Sequence, residues 1–322
     1  MPIFDQGYQH WHGTLTGHTW RWLAIAHQGV RTQWQKKATK RVLVVAMFPA
    51  LVLALLLAGW GLFEQQSALL EPFLFLIQGL PAELKAGPRS FRVPIWTILF
   101  NNFLYIEVIF SMLLVLIVGP DLISQDLRFN ALPLYLSRPV RRVDYFLGKL
   151  GVIAVYLAAV TIVPIVLAYG AGVCFSLDYH VLEQTIWVLL GSVAYGVILV
   201  VSAGTLMLAF SSLSKNTRLV GGLWLGVWFI GNIAAGVLAG MVRADWCPLV
   251  SYVENLGRIR EVLLDTKSAW EPIARIFPSR RFAENAYSSE FPWQWSAAVL
   301  AVLFGISICI LSLRIRSLDR LR

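Results

Sequence analysis

Glu107 stands alone in an apolar run from Ile95 to Val118. Asn101 and Asn102 precede it by about two turns, and Asn232 sits midway along a second such run, Leu219–Met241. A carboxylate or carboxamide inside a long apolar segment is costly unless it faces a cavity or a partner. These four residues are therefore candidates for the polar lining of a substrate path, with a structural hydrogen bond between helices as the rival role. Other reactive types are scattered. Cys174, Cys247 and Cys309 form no Cys-x-x-Cys pair, and His10, His12 and His18 fall in a polar N-terminal tail, where a solvated tail accounts for them better than a metal site. No carboxylate pair, metal-ligand cluster or Ser/His/Asp set supports a membrane enzyme. Cys174 and Cys247 both fall at ends of apolar runs, which leaves a disulfide between them open.

The densest polar chemistry lies in Gly119–Lys149, GPDLISQDLRFNALPLYLSRPVRRVDYFLGK, between two apolar runs. Asp121 is placed to cap a helix whose next turn carries Ser124, Gln125 and Asp126. Leu127, Leu132, Leu134 and Leu136 supply an apolar face, and Ser137-Arg138-Pro139 breaks the helix. Arg141, Arg142 and Lys149 flank the following run. A short helix parallel to a membrane, with a mixed apolar and charged face, suits docking of another protein. Leu147-Gly148-Lys149-Leu150 lacks the upstream Gly and the hydroxyl residue of a phosphate-binding loop, so the chain carries no nucleotide site of that kind.

The elements that must position these groups follow from composition. Of 322 residues, 57% are hydrophobic and only 14% charged, with mean hydropathy +0.66, too little polar surface to cover the chain in water. Six runs are near the length a bilayer core requires: Val42–Phe63, Ile95–Val118, Leu150–Val173, Trp187–Phe210, Leu219–Met241 and Trp295–Leu313. The fold class is thus an all-α polytopic membrane protein. The tail 1–41, the insert 119–149, the turn Ser211–Arg218 and the tail 314–322 share one side and hold 17 Lys and Arg against 5 Asp and Glu; the opposite loops hold 10 against 12. Basic residues collect in the cytoplasm, so both termini are expected there. That bias accounts for the net charge of +9 without nucleic acid. Trp20, Leu23, His27, Val30 and Trp34 recur at helical spacing before Lys36, Lys37, Lys40 and Arg41, as in an amphipathic helix lying on anionic lipid. The 241–292 loop, divided by Pro248, Pro272 and Pro278, reads as short helices over the outer end of the path or a contact for a periplasmic partner, and Pro72–Leu80 reads as an interfacial helix. Gly222 and Gly226, then Gly236 and Gly240, repeat a small-xxx-small spacing that suits packing within one subunit or at a dimer seam.

Ile123, Ser124 and Asp126, then Leu134 to Pro139, then Arg142, Tyr145 and Leu147 to Lys149 form a string that resembles the permease subunits of type-2 ATP-binding-cassette (ABC) transporters. The resemblance extends over nearly the whole chain and leans to the branch of nitrous-oxide-reductase maturation permeases. It implies a six-span domain, 42–313, with an N-terminal elbow helix and a cytoplasmic coupling helix in the bacterial plasma membrane. It implies that Asp121, Ser124, Asp126, Leu127, Leu136, Ser137, Arg138, Pro139, Arg142 and Tyr145 couple to a pair of separate ABC ATPase subunits. ATP and Mg2+ would then sit on those subunits, with no cofactor in this chain. A second copy or a close homologue would complete the membrane domain. The function implied is an exporter subunit without enzymatic activity of its own; the alternative is a non-transporting scaffold, coupled to an ATPase, that assembles or releases a membrane component.

Overall fold

A computed structural model describes residues 20–65, 81–131, 141–176, 178–242, 245–277 and 292–319, with side chains for all of these but 142 and 315–319. Among the described residues there are helices and turns and no strand. Six helical segments are long and apolar enough to cross a bilayer: Lys37–Glu64, Pro88–Arg128, Val143–Ser176, His180–Leu213, Thr217–Val242 and Trp293–Arg314. They coincide with the six hydropathic runs and extend beyond each, by more than a turn in the first four, because polar residues at span ends continue the helix after they leave the apolar pattern. The expected all-α polytopic architecture is the observed one.

The first helix, α1 (Arg21–Trp34), packs along α6 (Arg142–Val160). Gly148 and Gly151 make the approach close: a Cβ on Gly148 would meet the Ile25 side chain at 2.6 Å, and one on Gly151 would meet Ala26 at 3.1 Å. Trp20, Leu23, His27 and Trp34 remain exposed, as an interfacial helix requires, but Val30 is turned inward and its carbonyl accepts the Tyr156 hydroxyl at 2.8 Å. So α1 has two apolar sides, one for lipid and one for the bundle. The first span is α2 (Lys37–Glu64). After the short α3 (Ala82–Ala86) and a 3-10 turn at Pro88–Phe91 comes α4 (Arg92–Val118), the main part of the second span, which is the most buried of the six. It packs against α2 and against the long α8 (His180–Leu213).

The third span bends where α6 gives way to α7 (Ile162–Ser176). Pro164 has no N–H for the Val160 carbonyl, and the Thr161 hydroxyl bonds back to Leu157 O at 2.8 Å. Tyr169 of α7 meets Trp96 of α4 edge-on, with centroids 5.4 Å apart. The fifth span runs α9 (Thr217–Leu225), a π-turn at Gly226–Ile230 and α10 (Gly231–Val242), and is the least buried. A 3-10 turn, Cys247–Val250, leads into α11 (Tyr252–Leu263) and α12 (Thr266–Ile276). Ser251 caps α11 by accepting the Glu254 N–H at 3.2 Å, as its Ser-x-x-Glu spacing prescribes. Both helices pack against α4, and α11 also lies on α8 and on the last helix, α13 (Trp293–Asp319). Cys174, Cys247 and Cys309 are free thiols, so the disulfide left open between Cys174 and Cys247 is absent.

Candidate functional site

At the end of the bundle that holds both terminal tails, α5 (Asp121–Arg128) follows α4 after Gly119 and Pro120. Gly119 (φ −72°, ψ −45°) and Pro120 (φ −55°, ψ −37°) both keep helical backbone angles, so α5 is a kinked continuation of the second span. It is not the separate helix laid along the membrane that the insert's pattern predicts. Pro120 interrupts the hydrogen-bond ladder without turning the chain away.

Three polar residues of α5, Asp121, Ser124 and Asp126, are occupied within the chain. Asp121 does not cap the helix: it lies in the first turn and forms an ion pair with Lys36 at the start of the first span. The cap comes from α8 instead. Ser211 Oγ accepts the backbone N–H groups of Ile123 and Ser124, both at 3.0 Å, and donates to Pro120 O at 2.8 Å. Ser124 Oγ lies 3.2 Å from Thr217 Oγ1 of α9. Asp126 accepts the Tyr145 hydroxyl at 2.7 Å and pairs with Lys149 Nζ at 2.6 Å, both on α6. Leu122, Ile123 and Leu127 are buried. One eight-residue helix is therefore tied to the first, third, fourth and fifth spans.

Of the residues that the resemblance assigns to docking, Asp121, Ser124, Asp126, Leu127 and Tyr145 thus contact this chain's own helices. Leu136, Ser137, Arg138 and Pro139 lie outside the described residues, as do Leu132, Leu134, the 72–80 segment and the N-terminal histidines. Only the backbone of Arg142 is described, as the first residue of α6. The groups that face outward are Gln125, Arg128, Phe129 and Asn130. Phe129 is 71% exposed, and the Arg128 guanidinium lies 5.6 Å from its ring centroid. The sequence signal for this surface is the Arg128-Phe129 pair at the end of α5.

The four polar residues of the spans do not converge. Glu107 is fully buried on the α4 face that carries Trp96, Phe100 and Ser111, and neither carboxylate oxygen has a hydrogen-bond partner among the described residues. Asn102 lies on the exposed side of the same helix. Asn101 accepts Arg260 Nε at 2.8 Å, and Asn232 accepts Ser251 Oγ at 3.1 Å. Asn101 and Asn232 therefore make the structural hydrogen bonds named above as the rival role, and they tie α11 and its cap to the second and fifth spans. The 241–292 segment reads as short helices, and Arg260 lies on one of them, α11. The structure carries it 5% exposed against α4, its guanidinium 5.4 Å from the Tyr105 ring centroid.

A second polar cluster closes the opposite end. Arg92 donates from Nε to both Glu64 oxygens at 3.0 Å, from Nη2 to Glu64 at 2.5 Å and Asp178 at 3.1 Å, and from Nη1 to Gln184 at 3.1 Å. Trp60 Nε1 adds a bond to Glu64 at 2.6 Å. The His180 backbone N–H, and then Arg92, hold the Asp178 carboxyl below the usual range. One guanidinium thus fastens α2, α4, α8 and the turn before α8. Arg92 stands three residues before the apolar run Ile95–Val118, and spacing along the chain does not show that Glu64, Asp178 and Gln184 meet it there.

Residues 23–264 match the family model described as ABC-2 family transporter protein. No curated protein matches the chain.

Proposed function

Because the chain belongs to the ABC-2 family of transporter proteins, we propose that this membrane-spanning permease subunit works as an exporter. Its motor would be a pair of separate ABC ATPase subunits that bind ATP and Mg2+. The observation that carries the coupling is the bracing of α5: a displacement delivered at Arg128–Asn130 reaches Lys36, Lys149, Ser211 and Thr217 through direct contacts. A rigid lever tied to four spans is what a motor needs to move them together, and the exposed Phe129 at its tip suits an aromatic anchor in a protein pocket. The ATPases dock at the insert.

The excess of Lys and Arg at that end supports cytoplasmic termini in the inner membrane of a bacterium. A second copy completes the membrane domain through the fifth span. A Cβ built on Gly222, Gly236 or Gly240 meets nothing within 4 Å, so these glycines do not serve close packing among the described residues. The narrower placement, among nitrous-oxide-reductase maturation permeases, rests on the string from Ile123 to Lys149.

The test is co-expression with an ABC ATPase encoded beside this chain, then reconstitution of the purified pair in liposomes. The reading expects a two-plus-two complex whose ATP hydrolysis depends on this chain and drives ATP-dependent efflux. A chain that binds no ATPase would refute the coupling. ATP hydrolysis that moves no material would favour the scaffold.

A further inference from the structure

We propose that Arg260, together with Tyr105 and Asn102, binds the anionic headgroup of a lipid-like amphiphile that reaches it from the bilayer side of α4. Tyr105 lies thirteen residues past Arg92, roughly 20 Å along the helix at 1.5 Å per residue. The contact with Tyr105 therefore places the Arg260 guanidinium well inside the span. A charged group at membrane depth is costly and normally faces a partner or a pathway.

The partners present offset it only in part. Its firm hydrogen bond is to Asn101, which is uncharged. The Tyr105 ring and the Tyr195 hydroxyl beside it are also neutral. The paired carboxylate is Glu261, with 3.9 Å between Arg260 Nη2 and Glu261 Oε1, and Glu261 is shared with Arg258 at 3.4 Å. A tie between α11 and α4 through Asn101 needs only a neutral donor. A guanidinium adds a positive charge whose nearest carboxylate is shared with Arg258, and it favours phosphate or carboxylate in two-point contact.

Access comes from one side. Tyr105 is 61% exposed, and Asn102, Ile106 and Ile109 share its outward surface. That surface offers hydrogen bonds and an aromatic face near the cation and apolar side chains beyond it. The order matches a headgroup followed by an acyl chain, which selects an amphiphile over a free anion. Binding stands on these contacts alone. The further step, that the amphiphile is the exported substrate, rests on the permease reading.

The test uses the purified full chain in neutral maltoside detergent, titrated with dodecyl phosphate while thermal unfolding is followed. A saturable rise in Tm is expected with dodecyl phosphate, and none with dodecyltrimethylammonium or inorganic phosphate. Arg260→Gln should abolish the rise. Tyr105→Glu, at an exposed position, should place a competing carboxylate against Arg260 and weaken binding by at least about tenfold. If Arg260→Gln does not fold, Tyr105→Glu decides. Wild-type titration in either folded variant, or no response of the wild type, overturns the site. An equal response to inorganic phosphate overturns the amphiphile. Loss of ATPase docking alone would fail the permease reading and leave this site intact.

Discussion

Arg92 Nη2 lies 2.5 Å from Glu64 Oε2, and each side chain is 2% exposed. Burying such a pair costs desolvation that the partners' attraction only offsets, whereas removing one partner leaves an uncompensated charge. Glu64→Leu should therefore destabilise the chain by about 3–5 kcal/mol. The double variant Glu64→Leu, Arg92→Met should recover much of that loss. Unfolding of both variants in detergent by a chemical denaturant checks this. A double variant no more stable than the single one would show that Arg92 is held mainly by Asp178 and Gln184.

Asp178 gives the same cluster a pH dependence. Its carboxyl titrates below the unfolded value because the His180 N–H, and then Arg92, favour the anion. A depressed folded pKa adds stability that is present above the unfolded pKa and lost as pH falls through the folded one. Asp178→Asn should thus be less stable than wild type at neutral pH, and the gap should close in the acid range below the usual aspartate pKa of about 3.9. Tm measured for both proteins from neutral to acid pH tests the sign. A gap that stays constant would assign the loss to geometry.

The spans were legible because lipid imposes a length and a hydropathy that survive averaging over twenty residues. The contacts that organise their ends were not. Asp121 and Ser211 illustrate why. Local spacing offers Asp121 as the cap of its own helix, yet the donor-satisfying oxygen comes from Ser211, 88 residues later than Ile123. Arg260 and Asn101 are 159 residues apart, and spacing along the chain carries no trace of that meeting. The candidate path failed as a set for a simpler reason. Asn102 and Glu107 share a helix, but five residues at 100° each turn them to different sides.

The bracing of α5 separates residues that hold the lever from residues that could touch a motor. Ser211→Ala removes a cap and should cost about 0.5–2 kcal/mol. Asp126→Asn removes the charge that pairs with Lys149 and accepts the Tyr145 hydroxyl and should cost about 1–3 kcal/mol. Gln125→Ala and Phe129→Ala, both at exposed positions, should leave Tm unchanged. Co-purification with the ATPase should fall for Phe129→Ala and persist for Gln125→Ala. If Phe129→Ala binds like wild type, docking belongs to residues 132–140.

The fifth span offers the sharpest test of assembly. Gly222, Gly236 and Gly240 have open space where a Cβ would stand, although Gly is unfavourable in a helix by about 1 kcal/mol relative to Ala. Among the described residues of one subunit no close packing requires them. At a seam between two copies they would let backbones approach closely. Gly236→Cys, placed in a chain whose Cys174, Cys247 and Cys309 are replaced by Ser, should therefore cross-link to a dimer in native membranes under mild oxidation. Gly236→Leu should shift the detergent-solubilised protein toward monomer without lowering its helix content. The control is Val163→Cys, at an exposed position of the third span, which should not cross-link. Equal cross-linking at both positions would mean random collision and would remove the fifth span from the seam.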